Sequence, residues 1–166
     1  MPFDSASLLA KLFDAPVQPG VVRWIGLRPG RREAVQAVES AMLTPDGGLV
    51  GDRYGKPGGR RQVTLIAAED IAAIAGFLCR ARVAPDDLRR NIVVEGINPM
   101  ALKGRRFSIG AAILEATGEC HPCSRMEETF GPGGYNAVRG RGGVTARVLT
   151  EGAIRIGDPV ERLGPA

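Results

Sequence analysis

The segment Cys120-His121-Pro122-Cys123 holds two of the chain's three cysteines and its only histidine. Nearly all the soft-ligand and near-neutral acid–base chemistry of the chain is therefore gathered in one short stretch. A thiolate is both a strong nucleophile and a soft metal ligand, and nearby cations or a helix N-terminus raise its reactivity. Three uses fit the pattern. A Cys-x-x-Cys pair can be half of a zinc site, but tetrahedral zinc needs two more ligands, and only Cys79 and His121 remain to supply them. The pair can also work as a dithiol, as in thiol–disulfide oxidoreductases, where one thiolate attacks and the second resolves the mixed disulfide. In thioredoxin-like folds such a motif follows an early strand, whereas here it comes after a long β-rich stretch. The third use needs one cysteine alone, as a thiolate that ligates a heavy metal or carries sulfur as a persulfide. Against all three stands the plain reading of both cysteines as structural filler.

The flanking residues suit the lone thiolate. Ile113 to Thr117 reads as a strand that leads through Gly118 into the motif, and Ser124 to Phe130 reads as a short helix ended by Gly131-Pro132. Cys123 would then sit at the helix start, where an anion is favoured. Pro122 fixes the approach of the chain, and Arg125 adds positive charge. A second constellation, Leu88-Arg89-Arg90-Asn91-Ile92, enters a strand from a loop. Paired arginines are commonly a solvated loop edge, yet arginine also makes forked contacts to phosphate. The glycine-rich run from Gly131 to Gly143 lacks the Lys-Ser/Thr ending of a phosphate loop. It is expected to be a flexible flap over the cysteine.

The elements around these residues are mostly strands. A short helix is predicted over Ser5 to Phe13, and strands over Val21 to Ile25, Glu33 to Met42, Gln62 to Ile66, Asn91 to Glu95 and Val144 to Thr150. The segments 45–53 and 55–59 read as turn-rich loops. Phe107 to Glu115 and Ile154 to Glu161 are near twins, each a strand, an Ile-Gly corner and a second strand. One longer helix is predicted, from Ala67 to about Arg82, because Ile71, Ile74, Ala75 and Leu78 form one apolar stripe. Cys79 lies beside that stripe and reads as a core residue. Many short strands with one amphipathic helix predict a mainly β fold with a few helices, barrel-like rather than a parallel sheet.

The chain has 166 residues, enough for a single domain that buries about two-thirds of its unfolded surface. Three cysteines cannot close a disulfide framework, which points to a reducing, cytoplasmic setting. Asp4 and Asp14 interrupt the first residues, so no signal peptide is expected, and no stretch approaches the ~20 apolar residues of a membrane span. The net charge is +4, but aromatics are 5% and do not interleave with the basic residues. Neither a membrane nor a nucleic acid is the expected partner; a small phosphate-bearing ligand fits better.

Several short motifs occur in a specific order. Gly48-x2-Gly51-Asp52-Arg53 is followed by Arg61-Gln62-Val63-Thr64-Leu65 with Glu69, and by Arg89-x-Asn91-Ile92. Then come Leu102-x-Gly104-x2-Phe107-x-Ile109-Gly110, Pro122-Cys123 and Ile156-Gly157-Asp158-Pro159-Val160. From about Val21 to Leu163 this set resembles the MOSC domain, named after the C-terminal domain of molybdenum cofactor sulfurases. The resemblance divides the chain into an N-terminal extension, 1–20, and a single MOSC domain, 21–166. It implies a β-barrel-like fold and places the family's cysteine on Cys123. In relatives that cysteine is proposed to carry sulfur, or it ligates molybdenum held by a pyranopterin in those that reduce N-hydroxylated compounds.

On this resemblance Cys123 is the expected catalytic and metal-binding residue, and Arg89, Asn91 and Arg125 the expected contacts to the cofactor's phosphate. The expected partners are the molybdenum cofactor itself and a cysteine desulfurase or a redox protein. A carrier that only delivers cofactor or sulfur, without catalysis, fits the same residues. The PLP-dependent domain of the larger sulfurases has no counterpart in this length, so no PLP chemistry is expected. Only about twenty residues precede the match, too few for the additional N-terminal barrel of amidoxime-reducing relatives.

Overall fold

The structure is a computed structural model that describes residues 7–164. The chain opens with α1 (Leu8–Asp14), β1 (Gly20–Leu27), β2 (Gln36–Val38), β3 (Ser40–Thr44) and β4 (Gly48–Leu49). Then follow β5 (Val63–Ala67), α2 (Ala68–Phe77), α3 (Pro85–Leu88) and β6 (Ile92–Glu95). A 3-10 turn at Pro99–Leu102 precedes the hairpin β7 (Arg106–Ile109) and β8 (Ala112–Glu119). The last elements are α4 (Ser124–Phe130), α5 (Gly134–Val138), β9 (Val144–Thr150), β10 (Gly152–Arg155) and β11 (Pro159–Arg162).

Seven strands form a closed barrel in the order β11-β7-β8-β9-β5-β6-β1, and β1 returns to β11 through Gly20 opposite Val160. Closure leaves few free edges, the usual solution for a small antiparallel sheet. Only β5 and β6 run parallel within it, joined by the α2–α3 crossover. A smaller sheet, β10-β3-β4, adds Leu43, Leu49 and Ile154 to the interior.

Side-chain alternation explains why each strand sits where it does. On β8, Ala112, Leu114 and Ala116 face the core while their neighbours face outward. Strand β5 is buried at every residue. Val63 and Leu65 face the barrel interior, and Ile66 packs into a second cluster with Ile71, Ile74, Leu88, Met126, Phe130 and Val138. Helices α2, α4 and α5 therefore cover one outer face of the barrel. That arrangement brings the end of β8, the start of α4 and the α3–β6 turn together.

Several expectations need correction. The segment 33–42 is two short strands rather than one: β2 pairs with β1 on the barrel, and β3 pairs with β10 and β4. The chain changes sheets at Glu39, a switch that alternation alone does not mark. The twin segments also differ. β7 and β8 form a hairpin, but β10 pairs with β3 while β11 pairs with β7 and β1.

Helix α2 stops at Phe77, well short of Arg82. Cys79 takes a left-handed backbone (φ 52°), its N–H donates to the Gly76 carbonyl, and the Arg80 N–H donates to the Ala75 carbonyl. This paired closure is a Schellman motif. It leaves Cys79 exposed rather than in the core. The helix predicted from Ser5 is described from Leu8, with the Ser7 hydroxyl accepting from Ala10 N–H; Ser5 and Ala6 lie outside the described residues. Among the described residues, no helix is long and apolar enough to cross a membrane.

Candidate functional site

Five segments wall a cavity of about 230 Å³. They are Arg28 and Arg31 beyond β1, Arg53-Tyr54 after β4, Arg61 and Thr64 on the approach to and within β5, Leu88-Arg89-Arg90 after α3, and Cys120 to Met126 around the start of α4. Seven of the lining residues are arginines and none is a carboxylate. Cys120, His121 and Cys123 complete the wall.

Beneath this wall lies a buried polar network. The Arg28 guanidinium donates through Nε to Asp52 Oδ1 at 3.0 Å and through Nη2 to Asp52 Oδ2 at 2.9 Å. The Arg28 backbone N–H also donates to Asp52 Oδ1. Asn91 is fully buried and ties the network together. Its Nδ2 donates to Gly26 O and Asp52 Oδ1, and its Oδ1 accepts from Arg28 Nη2 and from the backbone N–H of Thr64. Both polar atoms of the Asn91 side chain are thus engaged by the protein, and Asn91 does not line the cavity. Gln62, also fully buried, donates to the carbonyls of Pro45 and Lys56 and accepts from Val148 N–H. It fastens the loop that carries Asp52 to the barrel.

Arg90 differs from Arg28 in one respect that matters. It is only 8% exposed, and its three hydrogen bonds go to the carbonyls of Gly142, Leu88 and Cys120. Among the described residues, no carboxylate pairs with it. Burial pushes its pKa down, and the neighbouring thiols of Cys120 and Cys123 pull in the opposite direction. A guanidinium stays charged at any working pH, so a buried, unpaired positive charge faces both sulfurs. Arg89 lines the same cavity from a left-handed backbone position, φ 54°. Its pKa is pushed down, first by partial burial and then by the charges of Arg125, Arg28 and Arg53. Two of its five donors reach the carbonyls of Glu33 and Gly30. Tyr54 lies under two guanidinium groups, Arg28 at 4.5 Å and Arg53 at 4.9 Å from the ring centre.

The two cysteines of the motif are unlike. Cys120 directly follows β8, its N–H donates to Gly143 O, and it is buried. Cys123 is the N-cap residue of α4 and is exposed. Cys123 and His121 also line an open groove of about 510 Å³ with Arg60, Arg61, Thr117, Glu119 and Thr145, so the Cys123 thiol stands between cavity and groove. The His121 imidazole lies 3.8 Å from Glu119. Among the described residues, no three His, Cys, Asp or Glu side chains group as a metal site.

The segment expected to be a flexible flap is a built joint. It contains α5, with Ala137 and Val138 buried, and Glu127 accepts from the N–H groups of Gly133 and Tyr135. Its last glycines allow close packing: a Cβ on Gly142 would lie 2.1 Å from Cys120 O, and one on Gly143 would lie 1.8 Å from Leu65 O. The structure gathers Cys123, Arg89 and Arg125 around one cavity and sets Asn91 behind it. Residue reading paired Arg90 with Arg89 as a candidate phosphate contact but missed Arg28, Arg31 and Arg61 as wall residues. The signal was partly there, since Asp52 and Arg61 stand in quoted motifs.

A closed barrel with a cysteine on its rim and an ordered set of glycine and arginine motifs defines a family. The MOSC domain family matches residues 49–161, and the chain belongs to it. Among solved structures, the chain is similar to YuaD from Bacillus subtilis, with a TM-score of 0.76 and 20% identity over 90% of this chain and 98% of that one. It is also similar to YiiM from Geobacillus stearothermophilus, TM-score 0.71 and 16% identity over 87% and 75% of the two chains. YiiM from Escherichia coli gives a TM-score of 0.67 and 20% identity over 88% and 71%. No curated protein matches the chain.

Proposed function

We propose that this chain binds molybdenum cofactor, or a related metal–sulfur group, through the thiolate of Cys123 and acts in sulfur transfer. The observation that carries the reading is an exposed thiol opening on a cavity walled by seven arginines and no carboxylate. Thiolate is a ligand suited to soft metals, and arginine forks suit phosphate and other oxyanions. The donor set therefore fits both ends of a phosphate-bearing, metal-holding pyranopterin. Cys123 would hold the metal. Arg89 and Arg125, with Arg53 and Arg61 beside them, would hold anionic groups, while Asn91 positions Arg28 and Thr64 rather than touching the ligand. Bound cofactor supplies a redox-active metal with an exchangeable sulfur position.

The open groove on the second side of Cys123 favours a further reading, reduction of N-hydroxylated compounds, because it gives a small substrate room beside the thiol. In that case a redox partner protein supplies the electrons. In the carrier case a cysteine desulfurase is the proposed sulfur source. The test is metal analysis with an absorption spectrum of protein made in a host that synthesises the cofactor. Molybdenum co-purifying with the chain is the expected result; protein free of molybdenum and of cofactor absorption would refute the reading.

A further inference from the structure

Resting on Cys123 as a sulfur-accepting thiolate, we propose that the arginine cavity also binds a sulfur donor directly. The donor class is a small oxyanion with a sulfane sulfur, thiosulfate or an organic thiosulfonate. Cys123 would then load without a donor protein.

Three observations converge on this class. Cys123 itself lines the cavity, so a small donor held among the arginines lies beside the sulfur that is to accept. Its wall is cationic without any carboxylate, which selects for charge rather than for shape. Arg90 is buried with only carbonyl partners. A buried charge left without a counter-ion is strongly unfavourable, and an oxyanion in the cavity would neutralise it. Arg28, the other buried arginine, is already neutralised by Asp52.

The chemistry balances without an added oxidant or reductant. The Cys123 thiolate attacks the outer sulfur of thiosulfate, a sulfur–sulfur bond forms, and the donor's own sulfur–sulfur bond breaks. The electron pair of the broken bond leaves on sulfite, and Cys123 keeps one sulfur as a persulfide. The oxyanion carries two negative charges before and after the step, so the same arginines hold the donor and stabilise the leaving group. Because Cys123 also borders the wider groove, the outer sulfur is open to an acceptor from a second side.

The test uses the full chain free of molybdenum, incubated with thiosulfate. Mass spectrometry of the intact chain and its peptides reads sulfur gain, and sulfite is assayed in solution. One sulfur on Cys123 with matching sulfite is expected, and none in Cys123→Ser. Arg61→Gln and Arg125→Gln, at positions that reach solvent, should each slow loading about tenfold, as for one lost charge-assisted hydrogen bond. Alkylation of Cys123 by neutral iodoacetamide, followed in parallel, should change much less. Excess sulfate or phosphate should compete with the donor. No sulfur gain in the wild type, or loading that falls only in step with alkylation, would overturn the proposal. A second arm supplies a cysteine desulfurase and cysteine. Loading in that arm alone would sink the direct donor and leave the carrier reading standing; loading in neither would sink both.

Discussion

Cys120 and Cys123 sit three positions apart, yet one is buried against Gly143 and Arg90 while the other opens on both the cavity and the groove. A dithiol mechanism needs both sulfurs, whereas a lone thiolate needs one. Cys120→Ala is therefore expected to keep most cofactor binding, and Cys123→Ala to lose it, as read by metal content after gel filtration. Equal loss in both, with a reversible intramolecular disulfide in the wild type, would instead support the oxidoreductase alternative. Asp52 provides a second test at this scale. Asp52→Asn removes the carboxylate that neutralises buried Arg28, and the expected loss is about 3–5 kcal/mol in urea unfolding. The adjacent Arg53→Gln, on an exposed side chain, should stay within about 0.5 kcal/mol. The sequence made the placement of Cys123 legible, because Pro122 before it and the helical segment after it mark a helix start. Asn91 was legible as a position but not as a role. Its partners Gly26, Asp52 and Thr64 lie far along the chain, and only folding shows that they consume its polar atoms.

Among the elements, α4 was legible from end to end, since its apolar spacing and the following Gly-Pro mark both limits. Helix α2 was not, because the stripe that predicts it continues past its physical end. Cys79 holds the left-handed position that glycine usually takes in a Schellman closure. Cys79→Gly is expected to stabilise the chain by about 1 kcal/mol, the order of cost of a left-handed non-glycine residue, measured by thermal or urea unfolding. Destabilisation would contradict the exposed placement. The α4–α5 joint yields a pH test. Backbone N–H groups of Tyr135 and Gly133 hold the Glu127 carboxylate below its ordinary pKa. A lowered carboxylate contributes stability that is present above the unfolded value, about 4.3, and is lost as pH falls through the lower folded value. Glu127→Gln should thus show a smaller Tm difference between about pH 6 and about pH 3 than the wild type. An unchanged difference would remove this joint from the acid response.

At the scale of the whole molecule, the alternating short strands made a β class and a barrel legible, and the ordered motifs made the family legible. Closure itself was not, because β1 meets β11 across almost the full chain, and no local pattern encodes a pairing that distant. The same closure builds the site. Arginines from five separated segments meet only when the barrel shuts and α2, α4 and α5 pack on one face. The cationic field is thus a property of the fold, while the proposed metal-binding chemistry falls on one thiol. The most direct test is the molybdenum content of wild type and Cys123→Ser, made side by side in a host that synthesises the cofactor and matched for folded protein by circular dichroism. Molybdenum retained by the wild type and lost from the variant is the predicted result. Equal molybdenum in the two, with equal absorption spectra, would contradict the assignment of Cys123 as the thiolate that holds the group.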